Sequence, residues 1–209
     1  MLKFTQHRFL KLFAIYIAAI IIGVALSVVF KGGPKIHATM FYLVVITGLT
    51  LYSKNENSSL KKWLIKPQRD GLKRTVTMAV IILLMTLFII AIRTAVWKEG
   101  ITETFQFDVF VFIGTCLLAP ITEEILCRGI IVDILSEKHG NAFVIIISSV
   151  IFYIIHGNPI NVGALLFGIL ASWSILKTKS IIPGVVIHFI WNTSIYFLPV
   201  IAKSLSKML

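Results

Sequence analysis

The run from Val109 to Leu135 is apolar enough to enter a bilayer, yet it carries Glu123, Glu124 and Arg128 near its middle. A charge at the centre of a bilayer costs roughly 2.5–3.5 kcal/mol on insertion scales, so three unpaired ones would cost on the order of 10 kcal/mol. Such a helix is tolerable in a membrane only where the charges face a protein interior or a wet cavity. Intramembrane ionisable groups of this kind therefore read as a functional site.

Six further apolar runs accompany it: Leu12 to Phe30, Ile36 to Ser53, Thr75 to Ile92, Asn141 to Ile155, Val162 to Leu176 and Ser180 to Ala202. The first has nineteen residues, about 28 Å of helix against a hydrocarbon core of about 30 Å. Several later runs are shorter and are interrupted by Pro120, Pro159, Gly163, Gly168, Pro183 and Gly184. Broken helices are tolerated at membrane depth where they line a protein cavity. With 57% of its residues hydrophobic, the chain predicts an all-α fold: a polytopic membrane helical bundle of about seven transmembrane helices. It reads as one domain over 1–209, with N-terminal helices in 1–108 and the charged, site-bearing helices in 109–200.

The formal charge of +11 would suggest nucleic acid in a soluble protein. Here the Lys and Arg fall mostly in short loops between apolar runs and leave no basic, aromatic face outside the membrane, which excludes that class. With the N-terminus inside, thirteen of them lie on the cytoplasmic side, seven between Lys54 and Arg74, against six on the other side. The expectation is a multi-pass cell-membrane protein with a cytoplasmic N-terminus and membrane lipids as its first partners. The leading apolar run is too long for a cleaved signal peptide and reads as an anchor. Cys116 and Cys127 share one helix and cannot bridge each other; each reads as a small core residue. His37 reads as polar packing or lumen-facing, while His7 and His139 belong to loops.

The polar residues inside the other runs come in spaced pairs. Phe152 and His156 are four apart, as are His188 and Asn192, so each pair shares a helical face. Glu124 and Arg128 are also four apart, acid before base, the favourable order for an ion pair. Glu123 is then turned about 100° away and free to face the cavity. A rise of about 1.5 Å per residue puts Glu123, His156, His188 and Asn192 at depths of about 18, 22, 10 and 16 Å, all in the bilayer interior.

These three motifs in order, Glu123-Glu124 to Arg128, Phe152 to His156 and His188 to Asn192, resemble the CPBP intramembrane proteases, also called the type II CAAX prenyl endopeptidase or Abi family. That family's pattern is Glu-Glu-x-x-x-Arg, Phe-x-x-x-His and His-x-x-x-Asn on three helices. The resemblance covers roughly Val109 to Tyr196; the first three runs carry no family signature. It implies an endopeptidase acting on a membrane-associated peptide or protein. Glu123 and His156 would activate a water, His188 and Asn192 would stabilise the oxyanion, and Glu124, Arg128 and Phe152 would support the site.

Glu123, His156 and His188 also have the composition of a three-ligand catalytic zinc site with a fourth position for water. Asn192 suits an oxyanion donor better than a ligand, so no cofactor is required on the preferred, glutamate-type reading, with zinc as the alternative. Other intramembrane chemistries lack their residues: there is no His-Glu-x-x-His, no Gly-x-Ser-Gly, and the apolar runs supply Asp133 where an aspartyl enzyme needs two. Two non-catalytic classes compete. A transporter would also bury charge, but the halves show no inverted repeat. A bacteriocin self-immunity or regulatory protein would keep the site and act by binding.

Overall fold

Backbone placed in hydrocarbon must close its own hydrogen bonds, and apolar runs of this length do so as helices. The computed structural model describes residues 2–29, 33–55, 64–97, 105–156, 162–198, 200 and 203, and every regular element among them is helical. In chain order they are α1 (Leu2–Val29), α2 (Gly33–Asn55), α3 (Arg69–Trp97), α4 (Val109–Ser136), α5 (Asn141–Ile155), α6 (Val162–Thr178) and α7 (Ile182–Tyr196). One helix answers each apolar run. Among the described residues one of them, the 28-residue α4, is long and apolar enough to cross a membrane; Leu10–Leu26, Thr39–Tyr52, Asn141–Ile155 and Gly163–Thr178 are shorter apolar helices.

Two helix starts lie well ahead of the sequence expectation. The first helix begins ten residues before Leu12, which puts His7 on a helix and not in a loop. Leu, Lys, Arg and Gln are good helix formers, so a helix continues past the point where apolarity stops. Arg8 fastens this extension: its Nη1 donates to Glu137 Oε1 at 2.7 Å and its Nε to Tyr52 Oη at 3.4 Å. Burial pulls the Arg8 guanidinium down, but Tyr52 and Glu137 outweigh it and hold the pKa above its ordinary value. Likewise α3 starts at Arg69, ahead of Thr75. Positions 56–63 of the basic loop behind the orientation argument, and the side chain of His37, lie outside the described residues.

Small residues set the packing. A Cβ on Gly48 would sit 2.7 Å from Ile15 Cγ2 and one on Gly23 3.4 Å from Phe41 Cα, so α1 and α2 run antiparallel at close range. The pair α5 and α6 repeats this: Gly168 faces the Ser149 backbone, and Ser148 and Ser172 share a hydrogen bond of 2.8 Å. Close helix approach through Gly and Ser is how helices associate where lipid gives no hydrophobic drive. Large apolar side chains such as Phe13, Ile21, Val28, Val76, Leu84 and Phe88 stand outward on α1 and α3, a surface suited to lipid and not to water.

The centre of the bundle is α4, which is wound unevenly. Ile113–Leu118 and Ile125–Ile131 are π-helical, flanking the α-helical turn Ala119–Glu124 that carries the two glutamates. Such π segments widen the helix and change which residues share a face. Along its length α4 runs antiparallel to α7, with Gly184 beside Glu124, Asn192 beside Thr115 and Tyr196 beside Asp108.

Candidate active site

Glu124 and Arg128 are fully buried, so their charges are tolerable only with close partners. Arg128 Nη1 donates to Glu124 Oε1 at 3.0 Å and Nη2 to the Gly168 carbonyl at 3.2 Å. The flat guanidinium lies 4.2 Å from the ring centroid of Phe152 and 5.6 Å from that of Phe167, a cation–π arrangement strengthened by desolvation. Phe152 therefore lies as a platform against Arg128. Gly184 gives Glu124 its room: a Cβ there would come 2.6 Å from Glu124 Oε2.

Glu123, one residue earlier, is turned elsewhere. Tyr42 Oη, from α2, donates to its Oε1 at 2.9 Å. Its Oε2 is buried with no hydrogen-bond partner. That oxygen stands 3.7 Å from His156 Nε2 and 3.8 Å from His188 Nε2. One ligand-type atom from each of Glu123, His156 and His188 lies within 4.8 Å of the others. The 12 Å spread of the sequence depths thus closes to a few ångströms.

The outer nitrogens of both imidazoles are occupied. His156 Nδ1 is 2.8 Å from the Phe152 carbonyl, which can only accept, so Nδ1 carries the proton and Nε2 of the neutral ring is a lone pair. His188 Nδ1 lies 3.2 Å from Glu124 Oε1. A buried carboxylate behind an imidazole fixes its orientation and makes Nδ1 the donor. His188 is buried, while the His156 side chain keeps 26% of its surface exposed. Of the three side chains, His156 is the one with substantial exposed surface.

Asn192, one turn after His188 on α7, is partly committed. Its Nδ2 donates to the Thr115 carbonyl at 2.8 Å. The cause lies in α4: Ala119 N–H reaches back to Gly114 O in the π pattern, and the next donor in that ladder would be Pro120, which has no N–H. Asn192 fills the bond that Pro120 cannot make. One amide hydrogen and Oδ1 remain for other work.

Of the site residues named from sequence, Glu123, His156 and His188 converge on one point, Glu124, Arg128 and Phe152 pack behind them, and Asn192 bonds Thr115. Tyr42 and Gly184 were not foreseen as site residues. The only sequence signals were a phenol inside an apolar run and a Pro183-Gly184 break read as a cavity lining. Both cysteines are free and buried. Residues 105–194 match the family described as Type II CAAX prenyl endopeptidase Rce1-like. No curated protein and no solved structure matches the chain.

Proposed function

Residues 105–194 belong to the type II CAAX prenyl endopeptidase Rce1-like family, a membrane-embedded protease family, and from that premise we propose that this chain hydrolyses a peptide bond with a water activated by Glu123 and His156. The observation that carries the reading is the buried, unpartnered Glu123 Oε2 facing two imidazole Nε2 atoms at 3.7 and 3.8 Å. A water that donates one hydrogen to Glu123 Oε2 and the other to His156 Nε2 keeps a lone pair for the peptide carbonyl. Its proton passes to Glu123 as the C–O bond forms, and from there to the leaving amine as the C–N bond breaks. The remaining Asn192 amide hydrogen, with His188 Nε2 when that ring is protonated, supplies the oxyanion donors. The substrate class is a membrane-associated peptide or protein.

A second reading has its own support. With His156 Nδ1–H held by a carbonyl and His188 Nδ1–H by Glu124, three acceptor atoms meet with no donor between them, and imidazoles held from behind in this way are typical zinc ligands. Glu123, His156 and His188 would hold the ion, which would acidify a bound water and polarise the carbonyl. A zinc chelator separates the readings: the metal-free one expects full cleavage and well below one zinc per chain, the other a joint loss of zinc and activity.

The deciding test of proteolysis is Glu123→Gln in purified, membrane-reconstituted protein. Cleavage should fall by about 10²–10⁴-fold, the usual contribution of a general base, at normal membrane abundance. A fully active variant would sink the peptidase reading in favour of a self-immunity or regulatory role by binding. The multi-pass arrangement with a cytoplasmic N-terminus belongs to the same proposal. It expects a cysteine introduced at Asn57 to resist an impermeant thiol reagent in intact cells, and labelling there would invert it.

A further inference from the structure

The helices before residue 105 lie outside the matched segment, yet one of their side chains touches the reacting carboxylate. Tyr42 Oη donates to Glu123 Oε1 at 2.9 Å, and that bond occupies one oxygen and leaves the other, Oε2, aimed at His156 and His188. A carboxylate with two free oxygens can rotate about its last torsion, which is soft. One fixed by a phenol on the far side cannot. The phenol is itself held: its ring meets Phe41 edge-on at 5.2 Å, and Phe41 meets Tyr16 of α1 at 6.1 Å. The α1–α2 hairpin thus delivers a hydroxyl to the side of Glu123 opposite the imidazoles.

We infer that Tyr42 is a positioning residue for the peptide hydrolysis, fixing Glu123 so that Oε2 alone faces the attacking water. The inference rests on the reading of Glu123 as the water-activating group. It also makes the N-terminal helices part of the catalytic unit, since a chain beginning near residue 105 would lack this bond. Tyr42 touches Glu123 Oε1 and not the Oε2 that faces the water, so its effect passes through Glu123.

The variant Tyr42→Phe removes the hydroxyl and keeps the ring against Phe41. Two measurements on full-length, membrane-reconstituted protein test the inference. The first is an infrared difference spectrum, protein minus its Glu123→Gln counterpart, which isolates the carboxyl bands of Glu123. Tyr42→Phe should shift those bands, and bands unchanged from wild type would overturn the inference whatever the activity. The second uses a fluorogenic prenylated peptide as probe: kcat should fall about tenfold, a part of what a general base contributes, with KM within about twofold. A raised KM with kcat retained would overturn the positioning role, because it would make Tyr42 a substrate contact. If wild-type protein leaves the peptide intact while the bands shift in Tyr42→Phe, the peptidase reading loses support and the Tyr42–Glu123 bond stands.

Discussion

Glu123 and Glu124 are adjacent in sequence and share one helical turn, but the two sides of α4 treat them in opposite ways. On the Glu124 side the carboxylate is enclosed by Arg128, His188 and Gly184, with Phe152 and Phe167 around the guanidinium. On the Glu123 side one oxygen is held by Tyr42 and the other stands 3.7 and 3.8 Å from the His156 and His188 Nε2 atoms; Glu124 Oε2 and Arg128 Nε also lack a hydrogen-bond partner, so what separates the two sides is the cation. The first arrangement lowers the cost of buried charge. The second pairs its carboxylate with no Lys or Arg among the described residues, and stability given up at one residue is a usual mark of function. The contrast teaches that neighbouring charges in a membrane helix are to be read by what lies behind each one.

The largest stability effect should come from breaking the enclosed side. Arg128→Ala leaves the Glu124 carboxylate buried without its cation, a loss of about 3–5 kcal/mol, so folded protein in the membrane should drop sharply. Normal abundance and an unchanged unfolding temperature would erase the difference between the two sides. Next, Gly184→Ala forces a methyl against Glu124 Oε2, where the Cβ would sit at 2.6 Å. Overpacking of this kind costs about 1–3 kcal/mol. A neutral result would mean that the carboxylate is free to move, against its role as a fixed support.

The smallest effect sharpens the account at the edge of the site. Asn192→Ala should cost about 1 kcal/mol by orphaning the Thr115 carbonyl. In a Pro120→Ala background, where residue 120 regains its N–H, that cost should shrink towards zero. A double-mutant cycle on unfolding temperature reads the coupling directly. Additive effects would show that Pro120 is not the reason Asn192 points at Thr115.

How much of this was legible follows from what each residue costs. Glu123, Glu124, Arg128, His156 and His188 announce themselves because ionisable groups are expensive inside apolar runs. The all-helical fold follows from the same runs. Tyr42 stays hidden because a tyrosine in such a run costs little and has many ordinary uses. The bond from Asn192 to Thr115 depends on a π-helical register, and sequence periodicity presumes 3.6 residues per turn; Pro120 was the one visible hint that a carbonyl in α4 would need an outside donor. The early start of α1 shows the converse, a helix sustained by propensity and the Arg8–Glu137 contact beyond its apolar stretch.

The central claim, that α4 spends stability at Glu123 and recovers it at Glu124, is tested most directly by the unfolding temperatures of Glu123→Gln and Glu124→Gln in the same membrane mimetic. An amide at position 123 keeps an oxygen for Tyr42 and turns an NH2 group towards the lone pairs of His156 and His188, so donors meet acceptors where only acceptors met before. The account predicts that Glu123→Gln unfolds at or above the wild-type temperature while being inactive. It predicts that Glu124→Gln unfolds clearly below, having lost the charge that Arg128 and His188 face. A Glu123→Gln protein less stable than Glu124→Gln would contradict it.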